Sequence, residues 1–139
     1  MDLKKPVIGI VGTGYVGLVT GVCLADFGHH VIAADKDAEK IRMLKNGVSP
    51  IYEPGLDEML RNVLNKGLIE FTSNLSELIA RSDVVFIAVG TPSKRDGSAD
   101  LKSVFNVAEA IAEHMRDYKI VVLKSTVPVG TTRKVEEFI

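Results

Sequence analysis

The stretch Val7-Ile8-Gly9-Ile10-Val11-Gly12-Thr13-Gly14-Tyr15-Val16-Gly17 decides how this chain folds. Val7 to Val11 is apolar on both faces, as a strand buried inside a parallel sheet requires. Gly12 to Gly17 follows without a break and matches G-x-G-x-x-G. Behind it Val16, Val19, Thr20, Cys23, Leu24 and Phe27 recur at helical spacing, which predicts a helix with that stripe turned inward and Gly28 as its stop. A glycine loop set between an apolar strand and a helix is the context in which such loops hold diphosphates. In it Gly12 allows the tight turn, Gly14 lets a diphosphate approach the backbone, and Gly17 lets the helix pack on the strand. The helix N-terminus adds unpaired N–H groups and a partial positive charge.

A ribose-binding acid is expected at the end of the next strand, about 20 residues further on. His30–Asp35 reads as that strand, and Asp35 lies 18 residues after Gly17. A carboxylate there accepts hydrogen bonds from ribose hydroxyls and repels a 2′-phosphate, which favours NAD over NADP. Lys36 and Lys40 soften that preference, since either could reach a phosphate.

Strand and helix patterns alternate along the rest of the chain. Asp37 is placed to cap a helix with Ala38, Ile41 and Leu44 inward, ended by Gly47. Pro54 suits a first helical turn, with Leu56, Met59, Leu60, Val63 and Leu64 as the stripe behind it. Leu68–Thr72 reads as a strand interrupted by Glu70. Asn74 and Glu77 resemble a capping box for a short helix to Arg81. Val84–Val89 is another apolar strand. Asp100 is placed to cap a helix carrying Leu101, Val104, Phe105, Ala108, Ile111, Ala112 and Met115. Ile120–Leu123 is the last strand, and Thr131 or Thr132 opens a final helix. Such alternation implies parallel pairing through right-handed crossovers. The expected fold is α/β, a Rossmann-type doubly wound parallel sheet of order 3-2-1-4-5.

Composition narrows the function. The 139 residues carry 17 Lys+Arg against 18 Asp+Glu, a net charge of −1 with no basic block. That argues against nucleic acid or an anionic membrane as partner. The longest apolar run, Val84–Val89, is far short of the roughly 18 residues of a membrane span. Met1 to Pro6 shows no signal-peptide cleavage pattern. One cysteine excludes an intrachain disulfide and a cysteine-cluster metal site, and fits a reducing cytoplasm.

Gly90-Thr91-Pro92 and Ser125-Thr126-Val127-Pro128 lie just beyond the fourth and fifth strands, where open α/β sheets bind ligands. They could line the nicotinamide half of a dinucleotide, or simply build turns. Cys23, on the inward stripe with no His or Lys neighbour in sequence, is better read as structural than nucleophilic. His29, His30 and His114 give no metal-ligand set. Ser93–Ser98 is most simply a mobile solvated connection, and Glu113 and Asp117 are solvent-facing helix residues.

Four ordered segments carry a family resemblance: Gly12–Leu18, Ile51-Tyr52-Glu53-Pro54-Gly55-Leu56, Val89–Pro92 and Lys124-Ser125-Thr126-Val127-Pro128-Val129-Gly130-Thr131. Together they cover essentially the whole chain, which resembles the NAD-binding part of UDP-glucose 6-dehydrogenases. GDP-mannose and UDP-N-acetylmannosamine 6-dehydrogenases share the plan. The resemblance implies NAD-dependent, four-electron oxidation of a sugar C6 alcohol to a carboxylate, giving UDP-glucuronate. It assigns the cofactor to Gly12, Thr13, Gly14, Tyr15, Val16, Gly17, Asp35, Lys40, Val89, Gly90, Thr91, Pro92, Ser93, Ser125, Thr126 and Val127. Thr126 would also lie near the reacting centre as an auxiliary that helps position water.

The family's nucleophilic cysteine motif, its catalytic lysine and asparagine, and the glutamate of its Asn-Pro-Glu-Phe stretch have no counterpart here. Residues 1–139 are therefore expected to form an incomplete NAD-binding domain, truncated after the fifth strand, lacking the central helix and the substrate-binding part. The apolar last strand and the apolar end at Val135, Phe138 and Ile139 agree with an uncovered edge. On this reading the isolated chain binds NAD(H) without oxidising sugar, meets a UDP-sugar only together with the missing part, and self-associates. The rival from another class is a regulatory NAD(H)-sensing module. It needs no catalytic residues, yet gives no reason for the Glu-Pro-Gly-Leu and Ser-Thr-Val-Pro segments.

Overall fold

The computed structural model describes residues 4–139. Residues 1–3, part of the N-terminal segment read for a signal peptide, lie outside the described residues. Five short strands, β1 (Ile8–Val11), β2 (Val31–Ala34), β3 (Ile69–Thr72), β4 (Val84–Ile87) and β5 (Ile120–Leu123), form one sheet of order β3-β2-β1-β4-β5. All four pairings are parallel, and one row runs Phe71, Ala33, Ile10, Phe86, Val122 across the sheet. The strand order is the expected one, and β5 has the expected bounds, whereas β1 and β3 start one residue later, β4 ends two residues earlier and β2 is shorter by one residue at each end.

The helices divide between the two faces. On one, α1 (Tyr15–Asp26), α2 (Ala38–Lys45) and α3 (Leu56–Asn65) bury Leu18, Val22, Leu44, Leu60 and Val63 against Ile10, Val31 and Ile69. On the other, α4 (Leu75–Arg81) and α5 (Lys102–His114) bury Leu78, Ile79, Val107 and Ile111 against Val11, Ile32, Val85 and Ile87. The last helix, α6 (Thr131–Phe138), docks on α5 through Val135, Val104 and Ala108. Each fully buried Leu or Ile contributes about 1.5–3 kcal/mol of transfer free energy, so both layers are needed to hold the sheet.

Several expected faces are corrected. The inward stripe of α1 is Gly17, Leu18, Gly21, Val22 and Ala25, whereas Val16 and Phe27 are exposed and Cys23 is only half-buried. The helix is apolar nearly all round, so hydrophobic spacing does not select a face, and backbone approach does. A Cβ on Gly17 would stand 1.9 Å from the Gly12 carbonyl oxygen, and one on Gly21 only 3.4 Å from Ile10. Small residues bring the helix axis onto the sheet, and the larger apolar residues flank the contact.

In α2 Ala38 is exposed, with Ile41 and Leu44 inward as expected. In α5 Val107 is buried and Ala112 exposed. Pro54 precedes α3 in a turn rather than opening it, and Gly55 is the cap. Asn74 caps α4 by accepting from the Glu77 amide, but the Glu77 carboxylate does not return the bond and pairs with Arg81 at 3.1 Å. Asp100 accepts from the Lys102 amide at 3.0 Å, one position outside the cap itself. Ser93–Ser98 is exposed, as expected, and makes hydrogen bonds of its own. Ser93 pairs antiparallel with Ala99, Lys94 N–H donates to the Ser98 carbonyl at 2.7 Å, and the Ser98 hydroxyl donates to Asp96.

At the far side of the sheet β5 forms an edge. Ile120 is 50% exposed, and Val121, Val122 and Leu123 are half-buried. No helix among the described residues is long and apolar enough to cross a membrane.

Candidate functional site

The carboxyl ends of β1, β2, β4 and β5 open into a cleft of about 800 Å³. At its centre the chain leaves β1 through Gly12, whose φ of +104° is open to glycine at little cost. A Cβ at Gly12 would also meet the Ala88 carbonyl oxygen at 2.6 Å, so the turn lies tight against the end of β4. Gly14 caps α1 with no side-chain hydrogen bond. The first amides of that helix therefore keep their donors for a ligand. A Cβ at Gly14 would meet nothing within 4 Å, at a residue that lines the cleft.

Asp35 stands at the end of β2, half-buried. Its Oδ2 accepts from the Thr13 amide at 3.0 Å and from the Thr13 hydroxyl at 2.7 Å, and its Oδ1 accepts from the Asp37 amide at 2.9 Å. Burial alone would raise its pKa. The Asp37 and Thr13 amides, the Thr13 hydroxyl and the charge of Lys40 outweigh that and hold the carboxyl below its ordinary value. Thr13 is itself fully buried. The variable position of the glycine motif thus shares with the Asp37 amide in orienting the acid and in holding it ionised.

Beyond β4 and β5, Thr91 Oγ1 donates to the Thr126 carbonyl at 2.7 Å and Ser125 Oγ donates to the Val89 carbonyl at 2.7 Å. The loops read as possible turn-builders therefore meet at one wall of the cleft. Of the residues expected to hold a cofactor, Gly12, Thr13, Gly14, Tyr15, Val16, Asp35, Lys40, Val89, Gly90, Thr91, Pro92, Ser125 and Thr126 line it. Three lie outside it. Gly17 packs against Gly12, Ser93 belongs to the small hairpin, and Val127 leans on the α5–α6 cluster.

Sequence reasoning missed other lining residues: Ser73, Leu75, Ser103, Asn106, Val107 and Lys124. Ser73 and Lys124 follow strand ends and could have been found by that rule. Ser103 and Asn106 are polar helix residues with no distinguishing pattern. Glu53 is a further addition. Its carboxylate lies beside the Tyr15 hydroxyl and raises the phenol pKa, which brings the Glu-Pro-Gly-Leu segment to the rim of the glycine loop. Cys23 lines no part of the cleft, and no group of three His, Cys, Asp or Glu side chains suited to a metal exists among the described residues.

The donor set fits a dinucleotide with a free 2′-hydroxyl. Free amides at a helix N-terminus suit a diphosphate, and a carboxylate held ionised at the end of β2 suits a ribose diol. Residues 6–139 match the model of the UDP-glucose/GDP-mannose dehydrogenase family, NAD binding domain. The chain belongs to that family. Its cofactor is NAD.

Relatives of the UDP-glucose/GDP-mannose dehydrogenase family agree along nearly the whole chain. A UDP-glucose 6-dehydrogenase of Rhizobium meliloti is 54% identical over 133 residues, which is 95% of this chain and 30% of that protein. One from Bacillus subtilis is 50% identical over 138 residues, covering 99% of this chain and 29% of the relative. The chain therefore spans less than a third of the length of these relatives. Among solved structures, a UDP-glucose dehydrogenase from Pyrobaculum islandicum superposes with a TM-score of 0.90 at 39% identity, over 96% of this chain and 33% of that one. A GDP-mannose dehydrogenase from Pseudomonas aeruginosa gives 0.90 at 38% identity, over 94% and 32%.

Proposed function

We propose that this chain is the NAD-binding part of a UDP-glucose 6-dehydrogenase, and that residues 1–139 alone bind NAD(H) without oxidising sugar. The observation that carries the reading is the Asp35 carboxylate, held ionised at the end of β2 beside the open amides of the glycine loop. The relatives from Rhizobium meliloti and Bacillus subtilis, 54% and 50% identical, are both UDP-glucose 6-dehydrogenases, which favours UDP-glucose over the GDP-mannose and UDP-N-acetylmannosamine alternatives.

The division of labour follows from the cleft. The amides opening α1 would hold the diphosphate, Asp35 would accept from the adenosine ribose hydroxyls, and the loops after β4 and β5 would hold the nicotinamide half. Bound there, NAD supplies the hydride acceptor. Converting the C6 alcohol to a carboxylate removes two hydrides in turn, consumes two NAD and one water, and releases three protons. Thr126, on the wall of that half, is the residue of this chain placed to orient water as an auxiliary. Cys23 cannot serve as nucleophile because it lies outside the cleft.

The same reading makes the protein cytoplasmic, with its product an activated uronate used in polysaccharide synthesis. It has neither nucleic-acid nor membrane partners. Its apolar β5 edge supports self-association. The test is to incubate the 139-residue chain with NAD and UDP-glucose and to measure NADH and NAD binding separately. Binding with no NADH is the expected outcome. NADH formation would overturn the inactivity, and absence of binding would overturn the nucleotide site.

A further inference from the structure

The ladder between β4 and β5 ends where the Lys124 and Ser125 amides both donate to the Ile87 carbonyl, at 2.8 and 3.1 Å. Past that point no ladder bond joins the two strands, and the loops would be free to part. Two side-chain hydroxyls replace it. Ser125 Oγ reaches from the β5 loop to the Val89 carbonyl, and Thr91 Oγ1 reaches from the β4 loop to the Thr126 carbonyl, each at 2.7 Å. The bonds run in opposite directions, so each loop supplies one donor and one acceptor. The outer bond ends on the backbone of Thr126, a residue that lines the cleft.

We propose that Thr91 is a positioning residue that fixes the Thr126 loop as the wall for the nicotinamide half of the dinucleotide, through its hydrogen bond to the Thr126 carbonyl. The inference rests on the dinucleotide reading above. Its location follows from sheet geometry. Asp35 ends β2, and Thr91 and Thr126 follow β4 and β5, so two to three strand spacings of about 4.8 Å separate the acid from this wall. A ligand anchored by its adenosine ribose at Asp35, with its diphosphate on the α1 amides, therefore reaches these loops only with its far end. A Thr91 that merely built a turn with Pro92 would need no hydroxyl, since valine has nearly the same shape. The hydroxyl is what the bond to Thr126 requires.

The experiment titrates the 139-residue chain with NAD and, separately, with ADP-ribose, which lacks the nicotinamide. Three proteins are compared: the unaltered chain, Thr91→Val and Thr91→Ser. The unaltered chain is expected to bind NAD more tightly than ADP-ribose. Thr91→Val should weaken NAD by about tenfold while changing ADP-ribose by less than about twofold, the size of one lost hydrogen bond confined to one half of the ligand. Thr91→Ser should restore NAD binding. Equal weakening of both ligands in Thr91→Val would overturn the proposal, because a general loss of fold would do the same. So would unchanged NAD affinity, failure of Thr91→Ser to rescue, or equal affinity of the unaltered chain for the two ligands. An unaltered chain that binds neither ligand would overturn the dinucleotide reading itself, and the role of Thr91 with it.

Discussion

Asp35 and Thr13 are joined twice across 22 residues, by the Thr13 amide at 3.0 Å and its hydroxyl at 2.7 Å, both on the same carboxylate oxygen. The pair couples the glycine loop to the acid, so these two parts of the cleft form one preorganised unit rather than two independent ones.

Replacing Thr13 by valine keeps the volume and removes the hydroxyl. The amide bond remains, but one buried contact to a charged group is lost. Unfolding free energy is expected to fall by about 1.5–3 kcal/mol, read by urea denaturation, and NAD affinity to fall with it.

Gly14 and Gly17 should separate binding from folding. Alanine at Gly14 meets no protein atom within 4 Å, and the residue lines the cleft where the diphosphate is proposed to sit. Gly14→Ala should leave the melting temperature nearly unchanged and weaken NAD binding. Alanine at Gly17 would stand 1.9 Å from the Gly12 carbonyl oxygen, a backbone atom that cannot swing aside. The helix-propensity gain of about 1 kcal/mol cannot offset that overlap. Gly17→Ala should unfold at clearly lower urea.

Acid should destabilise the chain through two carboxylates. Asp35 is held below its ordinary value of 3.8, and Glu70 below 4.5 by Arg81 and, against the opposing effect of burial, by His30. A group whose folded pKa is depressed stabilises fully above its unfolded value and loses that contribution as pH falls through the folded one. Stability from these two groups should therefore be flat at neutral pH and decline below about pH 4.5. Asp35→Asn should shrink the decline. An identical acid profile in that variant would contradict the assignment.

The β5 edge should associate. Ile120 is half-exposed on a strand with an unpaired outer edge, and Phe138 is 49% exposed nearby in sequence to the apolar end. Sedimentation at rising concentration should show oligomers, and Ile120→Lys should reduce them. A strictly monomeric profile of the unaltered chain would contradict this.

The sheet was legible because β1, β4 and β5 are apolar on both faces and each is followed by a stop or a cap. The side of α1 that meets the sheet was not. Tyr15–Asp26 is apolar almost all round, and contact is chosen by Gly17, Gly21 and Ala25, residues that hydrophobic periodicity overlooks. That Gly12, Gly14 and Asp35 meet at one cleft was legible, since a glycine loop after β1 and an acid at the end of the next strand lie side by side at the carboxyl edge of a parallel sheet. The bonds from Thr13 to Asp35 and from Thr91 to Thr126 were not, because they join residues 22 and 35 positions apart that meet only once the sheet has formed. Glu53 beside Tyr15 is hidden for the same reason.

Calorimetric titration of NAD against the unaltered chain and Asp35→Ala, with NADP as the competing ligand, tests the central claim most directly. The expected result is binding of NAD in preference to NADP, and a loss of about 1–3 kcal/mol in the variant as the ribose hydrogen bonds disappear. No binding by the unaltered chain, or equal NAD affinity with and without Asp35, would contradict it.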